Sequence, residues 1–412
     1  MPPKRPPVRC ASCAAALAAS APRGVVTFCE DCQARVEVLQ ASDNLHWFVA
    51  HVDGSYIVGS SHPHVVPNSP PPLPPDDAAD AEPLAARVAA AARAVRGAAR
   101  LLVVAGAGMS VDSGLPAFRG EGGFYDFGGA QIAMTDVDLH PSRGKLEVAW
   151  AYLSSMLEAF ETAAPHAGYA LVVDRLLARV ADGFVFTSNI DGYFRRAGLD
   201  DERLYESHGS FDLLQCTSYG AEHACRATVW PRAPGAARPS RSRRAADGAL
   251  VADLARVPRC AECGAYARPN ISHVTDDDAD VCPERKAPAR ARLEAFLRRA
   301  KRGKGLVILE IGAGTSAHSL RVDSELVARR CGGTIVRIDP GGAPVPRGKH
   351  VSLPLPGLEA LTRLAAAIDE LDAAEAKEEG GGAATHKRPA EDDAAKRPAP
   401  SARQPLAPSD SC

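Results

Sequence analysis

Cysteine pairs and one glycine turn carry most of the residue types in this chain that could do chemistry. Cys10-x2-Cys13 and Cys29-x2-Cys32 are separated by fifteen residues. Two thiolate pairs on two turns complete a tetrahedral zinc shell, and this spacing suits a zinc ribbon or knuckle. Another Cys-x2-Cys pair, Cys260 and Cys263, lies in the middle of the chain. The glycine turn belongs to RLLVVAGAGMSVDSGLPAFRG, Arg100 to Gly120. Its apolar run Leu101 to Val104 is short enough for a buried strand and leads at once into Gly106, Ala107 and Gly108. A glycine-rich turn at the C-terminal end of a strand brings backbone N–H groups to the place where open α/β sheets bind a phosphate. The third glycine of the dinucleotide fingerprint is missing, with Val111 in its place, so a plain strand-to-helix turn is the competing reading.

The elements that would position these residues follow from composition and pattern. The chain has 412 residues, 46% of them hydrophobic, and a net charge of −2, so no global field favours nucleic acid or membrane. No apolar run reaches the roughly 18 residues of a membrane span. Eleven cysteines clustered without a convincing signal peptide read as metal ligands in a reducing compartment. Residues 1–60 read as a zinc-ribbon-like module that metal, more than burial, would hold together. Residues 61–81 are a proline-rich linker, with five prolines between Pro70 and Pro75.

From Glu82 the pattern becomes alternating. Helical spacing runs from Glu82 to Gly97, at 143–161 and at 166–181. Strands are expected at Leu101–Val104, Phe184–Thr187, Leu306–Ile311, Thr334–Ile338 and Val351–Leu353, several of them ending in glycine or polar residues. That is the plan of an α/β protein with a doubly wound, Rossmann-like parallel sheet over 82–372, and a small zinc module at about 209–285. Residues 373–412 lack apolar periodicity and read as a disordered tail. Its basic pairs, Lys387-Arg388 and Lys396-Arg397, resemble a bipartite nuclear signal, and a solvated tail reads equally well. A nuclear or cytoplasmic location is expected. The absence of acidic residues before Glu30 leaves an organelle transit segment open.

The motifs stack in a recognisable order. GAGMSVDSGLPAFRG resembles the cofactor loop of the sirtuins, FTSNIDG resembles their TQNID segment, and ESHGSF resembles their HG motif. Cysteines, GAGTS and a strand ending IVRIDP follow. The resemblance covers about Glu82 to Leu371 and is to an atypical branch with a long insertion between the zinc cysteines.

This resemblance implies an enzyme, an NAD-dependent protein-lysine deacylase (deacetylase) that transfers the acyl group to ADP-ribose and releases nicotinamide. It implies His208 as the general base, since a histidine titrates near neutrality. A turn histidine is the bland alternative. Gly106, Ala107, Gly108 and Ser110 would line the pyrophosphate side, with Phe118 and Arg119 beside them. Ser188, Asn189 and Asp191 would hold the nicotinamide end, Asn189 and Asp191 sharing in catalysis; Asn and Asp are also good helix caps. Gly314, Thr315, Ser316 and Asp339 would meet the adenosine ribose and phosphate. The implied structural zinc site is Cys216, Cys225, Cys260 and Cys263, with Cys282 in reserve and a long insertion at 226–259.

The pattern departs from the family at Ala117, at Ser188 and over Asn270–Thr275, which replaces the usual acyl-peptide strand. Two further readings therefore stand: a mono-ADP-ribosyltransferase or NAD hydrolase, and a catalytically weak zinc- and NAD-binding scaffold. The expected partners are acylated protein lysines, with histones one candidate class. The N-terminal ribbon and the arginine run Arg241, Arg243 and Arg244 are candidates for binding a protein or nucleic acid. A solvated loop is the simpler view of that run.

Overall fold

The computed structural model describes residues 82–116, 123–124, 146–219, 225, 229–233, 236, 238–243, 250–272, 281–314, 319–342 and 344–382. It also describes the backbone of strands at 26–28, 35–41, 47–51, 56–59, 126–127 and 130–131. Strands β1 (Val26–Phe28), β2 (Arg35–Ala41), β3 (Trp47–His51) and β4 (Tyr56–Gly59) pair antiparallel in that order. Cys10, Cys13, Cys29 and Cys32 lie outside the described residues, as do the linker, Phe118, Arg119, Thr315, Ser316 and the two basic pairs of the tail.

Helix α1 (Leu84–Arg96) is alanine-rich and buries Val88, Ala91, Ala92 and Val95, one stripe at helical spacing. Gly97 closes it by donating to the Arg93 carbonyl. The chain then enters β5 (Arg100–Ala105), buried at every position after the first. Burial on both faces is why this strand reads as a continuous apolar run without alternation. A short helix, α2 (Gly108–Val111), follows directly. After a two-stranded ribbon of β6 (Asp126–Phe127) and β7 (Ala130–Gln131) comes α3 (Leu146–Thr162).

The helix expected at 166–181 begins as α4 (Ala167–Ala170), widens to a π-helical stretch at Leu171–Leu176 and tightens to a 3₁₀ turn at Leu177–Arg179. Strand β8 (Asp182–Thr187) and the short α5 (Tyr193–Arg196) lead to β9 (Leu204–Glu206). A small sheet orders β11 (Trp230–Pro231), β10 (Gly209–Cys216) and β14 (Ala267–Ile271), with β12 (Arg241–Arg243) and β13 (Leu250–Ala252) as a separate pair. Helix α6 (Lys286–Arg302) buries Ala289, Leu293, Phe296 and Ala300 and returns the chain to the main sheet. Strand β15 (Leu306–Ile311), helix α7 (Ser319–Cys331), strands β16 (Thr334–Ile338) and β17 (Val351–Leu353) and helix α8 (Gly357–Gly382) complete it. Helix α8 runs to Gly382, so the chain stays helical beyond residue 373, where the tail is expected to begin. Among the described residues no helix is long and apolar enough to cross a membrane.

The six-stranded sheet has the order β17-β16-β15-β5-β8-β9, every neighbouring pair parallel. Chain direction across the sheet reverses between β5 and β15. In an open sheet this is the switch point, and the crevice at the carboxyl ends of those strands is the natural ligand site. Phe184, Phe296, Leu306, Ile308 and Ile335 belong to the core on one face. At the opposite end of the sheet, Asp182 joins Arg100 at 3.2 Å and Arg299 at 2.8 Å, pinning β5, β8 and α6 together. These arginines hold the Asp182 carboxyl below its usual pKa, the Arg299 hydrogen bond leading.

The switch point is built by close backbone approach. A Cβ on Gly106 would lie 2.6 Å from the Gly312 oxygen, and one on Gly312 would lie 2.4 Å from the Gly108 backbone. Gly312 also has φ +58°, a left-handed conformation. Gly314 shares the positive φ, +64°, but a Cβ there meets open space. Gly312→Ala is therefore expected to lose roughly 3 kcal/mol or more, from strain plus overpacking, and Gly314→Ala only about 1 kcal/mol. Thermal unfolding of the two variants separates them; equal shifts in melting temperature would contradict this account of the turn.

Candidate functional site

The N–H groups of the two glycines in the first turn are engaged within the protein. The Gly106 N–H donates to the Ile311 carbonyl at 2.9 Å and the Gly108 N–H to the Gly312 carbonyl at 3.0 Å. Both donors are satisfied within the protein. The role the structure assigns to these glycines is to let two strand ends touch, which brings the residues that follow β5 and β8 to one place.

Ser110 is the meeting point. Its Oγ donates to Asp191 Oδ2 at 2.6 Å, lies 2.9 Å from the Tyr169 hydroxyl, and accepts from Asn189 Nδ2 at 3.1 Å. One donor and two acceptor positions are the full capacity of a hydroxyl. Asn189 Nδ2 also donates to the Gly106 carbonyl at 3.0 Å, and the Asn189 N–H to Thr187 Oγ1 at 3.0 Å. Asp191 Oδ1 accepts from the Tyr193 N–H at 2.9 Å. The capping and site readings of Asp191 thus coexist. Ser110, Asn189 and Asp191 are 4%, 4% and 5% exposed, so these hydrogen bonds, more than water, satisfy them. Burial pushes the Asp191 carboxyl above its usual range, against the lowering pull of Ser110. Burial likewise raises the Tyr169 phenol, and the Asp191 charge adds to it.

A pocket opens over this cluster. Ser110, Asn189 and Asp191 form its polar side, and Leu115, Pro116, Phe124, Phe160 and Ile190 its apolar side. Phe160, from α3, meets Phe124 and Phe211 edge-on with centroids 5.5 and 5.2 Å apart. Buried polar groups thus face an apolar wall across this pocket.

His208 lies at the end of β9, beside the end of β8. The Ser207 N–H donates to the Thr187 carbonyl at 2.8 Å, and the His208 carbonyl accepts from the Ser272 N–H at 2.9 Å. The residue is exposed to solvent. Lost hydration first, then the Lys286 ammonium, holds its pKa below the ordinary histidine value; a hydrogen bond to the Ser188 backbone pulls the other way. Lys286 Nζ is anchored 2.8 Å from Ser272 Oγ.

Sequence reasoning missed three residues here. Tyr169 completes the Ser110 cluster, and Lys286 bears on His208. Glu206, two residues before the histidine, is pushed up to about 8 by burial even though Arg195 Nη2 lies at 2.7 Å. Only the adjacency of Glu206 to the HG motif could have drawn attention to it. Tyr169 and Lys286 sit in helical stretches whose sequence gives no such signal.

On the other side of the switch point, Asp339 follows β16 directly. Its Oδ2 accepts from the Gly314 N–H at 3.2 Å, and its Oδ1 from the Gly341 N–H at 2.9 Å. Gly106, Ala107, Gly108, Ser110, Ser188, Asn189, Asp191, His208, Gly314 and Asp339 therefore all lie at the carboxyl ends of the parallel strands or in the turns that follow.

The central cysteines gather as well. Cys216 and Cys263 sulfurs are 3.5 Å apart, Cys225 and Cys260 sulfurs 3.6 Å, and all four lie within 4.8 Å of one another. Thiolates at about 2.3 Å around a tetrahedral zinc stand roughly 3.8 Å apart, so this donor set fits that ion. Cys282 is not among them; its N–H and carbonyl are hydrogen-bonded to Gln215 and Asn270. Four thiolates leave no open position for water, which suits a structural metal. Part of the insertion that follows Cys225 is tied to α3: Arg232 pairs with Glu161, and Arg238 and Arg241 pair with Glu158. Arg241, expected in a solvated or ligand-binding run, is engaged within the protein. Arg244 and the Arg243 side chain lie outside the described residues.

A family model described as "Sir2 family" matches residues 106–281. The chain is 31% identical over 258 residues to NAD-dependent protein deacylase 2 of Pseudomonas aeruginosa, covering 62% of this chain and 86% of that protein. It is 31% identical over 180 residues to the mitochondrial NAD-dependent protein deacylase sirtuin-5 of Canis lupus familiaris, covering 42% of this chain and 54% of that protein. A Sir2 homologue–NAD complex superposes with a TM-score of 0.50 at 18% identity, covering 68% of this chain and 93% of that one. At that identity the likeness shows the fold alone.

The double variant Cys260→Ser/Cys263→Ser is expected to lose one equivalent of zinc per chain relative to the wild type, and to unfold at a lower temperature. Cys331→Ser, at a thiol outside the cluster, is expected to leave the zinc content unchanged. Elemental analysis decides: equal zinc in wild type and double variant would contradict the assignment.

Proposed function

The chain belongs to the Sir2 family, and on that footing we propose the reading that its site supports best. It is an NAD-dependent protein-lysine deacylase, an enzyme that transfers an acyl group from a protein lysine to ADP-ribose and releases nicotinamide. The observation that carries the reading is the convergence of the Ser110–Asn189–Asp191 cluster and His208 at neighbouring strand ends of a Sir2-type sheet.

Bound NAD supplies the labile nicotinamide–ribose bond and the ADP-ribose acceptor. The chain's own residues do the rest. Asn189 and Asp191, locked by Ser110, orient the nicotinamide amide in a pocket whose Phe124 and Phe160 wall keeps water out. Such preorganised polar groups in a dry site need no rearrangement as charge develops. His208 serves as general base: its unprotonated ring nitrogen accepts a ribose hydroxyl proton. Lost hydration and the Lys286 charge lower the ring's pKa, which favours its neutral form. The cysteine tetrad holds zinc and braces the small sheet from which His208 and Ser272 project. Acylated protein lysines are the proposed substrates, entering beside the end of β14. Asn270 in that strand is buried and hydrogen-bonded to Gln215 and Cys282, so it acts in the scaffold and not as a substrate contact.

His208→Ala is expected to reduce nicotinamide release from NAD in the presence of an acetyl-lysine peptide by about 10²–10⁴-fold, the worth of a general base. Equal turnover by the variant would contradict the assignment. The pH profile has a fixed sign. A lowered histidine pKa moves protonation of the base to lower pH than for an ordinary histidine, 6.5. The acid limb of the wild-type kcat/KM should therefore have its midpoint below pH 6.5. An acid limb with its midpoint at 7 would show that the shift has the opposite sign.

A further inference from the structure

We propose that Arg232, Arg238 and Arg241 of the insertion are positioning residues for the nicotinamide pocket. They bring to the end of α3 a positive charge that the helix itself lacks, and so hold Phe160 in the pocket wall. The inference rests on the NAD reading above and adds to it three residues that lie outside the crevice.

Helix α3 carries Glu158 and Glu161 near its C-terminal end and no basic residue in its last turn. The C-terminal pole of a helix dipole is negative, so carboxylates there oppose it. Like charges one turn apart add repulsion. A helix end of this composition frays unless cations reach it from elsewhere. Phe160 stands between the two glutamates, 2% exposed, with its ring against Phe124 and Phe211. Fraying of this turn takes the aromatic wall off the pocket.

Cations reach the turn from two sides. Arg196 of α5 donates through Nη1 to the Phe160 carbonyl at 2.7 Å. From the insertion, Arg232 meets Glu161 at 2.5 Å, and Arg238 stands 3.5 Å from both Glu158 and Glu161. Arg241 bonds Glu158 and the Ser155 hydroxyl. Strand β13 of the insertion packs along the same helix. The Arg232 side chain is only 11% exposed, and its N–H donates to the Asp212 carbonyl of β10 at 2.8 Å, which anchors the group on the small sheet. An exposed ion pair contributes little by itself. These pairs form one network at a helix end, where each also offsets the dipole.

The test is steady-state kinetics of the full chain with NAD and an acetyl-lysine peptide, with nicotinamide as inhibitor and circular dichroism to verify folding. Arg232→Gln/Arg238→Gln/Arg241→Gln is expected to raise both the KM for NAD and the nicotinamide inhibition constant by about fivefold or more, with kcat changed by less than about twofold. A merely destabilised fold would lower kcat through the active fraction and leave both constants unmoved. Adding Glu158→Gln/Glu161→Gln removes the charges that the arginines answer, and should return both constants to within about twofold of the wild type. Salt decides if the triple variant fails to fold. Between about 0.05 M and about 1 M sodium chloride the wild-type nicotinamide inhibition constant should rise about fivefold, and that of Glu158→Gln/Glu161→Gln should stay level. Unmoved constants in the folded triple variant, a loss that Glu158→Gln/Glu161→Gln does not restore, or equal salt responses overturn this inference alone. A folded wild type that releases no nicotinamide overturns the NAD reading beneath it.

Discussion

The contact on which the site depends is between backbone and backbone. Where β5 and β15 end, Gly106 and Gly108 lie against Gly312 with no room for a side chain on any of them. Hydrogen bonds from Gly106 and Gly108 to Ile311 and Gly312 close the seam. Because the strands on either side run parallel in unbroken register, that seam sets the height at which each following strand end stops. Ser110 follows β5 by five residues, Asn189 and Asp191 follow β8 by two and four, and Asp339 follows β16 directly. Their meeting is a consequence of one tight junction and of helices and strands cut to matching lengths.

Electrostatics divides the crevice into two unlike halves. On the β8 side the polar groups are buried, mutually satisfied and face aromatic rings; burial raises the pKa of both Asp191 and Tyr169. On the β16 side charged groups are interleaved, Glu310 with Arg337 and Asp339 with Arg321. A buried ion pair is weak evidence for added stability, since desolvation offsets its attraction. Its better-supported use is to fix position, and here the paired side chains hold the turns that flank the crevice.

Much of this arrangement is legible in the sequence. The buried parallel strands read as apolar runs because both their faces are covered, and the polar residues after them stand out by contrast, Asn189, Asp191 and Asp339 above all. The cysteine tetrad is legible because the segment around it is too polar to bury unliganded thiols. Most of the illegible features share one cause: they depend on residues far apart in the chain. Nothing local in Tyr169 announces Ser110, and nothing in Lys286 announces His208. Nor does the glycine turn show that the partners of its Gly106 and Gly108 donors are the carbonyls of Ile311 and Gly312, some two hundred residues on. The arginine of the insertion, Arg241, reads as solvated because the carboxylate that meets it, Glu158, lies on a helix some eighty residues earlier. The π-helical stretch at Leu171–Leu176 likewise escapes periodicity, which assumes one pitch throughout.

What the molecule is held to do is move an acyl group from lysine to the sugar that loses nicotinamide. The most direct measurement is mass spectrometry of the products after incubating the full chain with NAD and an acetyl-lysine peptide. The account predicts O-acetyl-ADP-ribose and deacetylated peptide in equal amounts. Free ADP-ribose beside a peptide that keeps its acetyl group would contradict it, since the crevice would then split the dinucleotide without serving lysine at all.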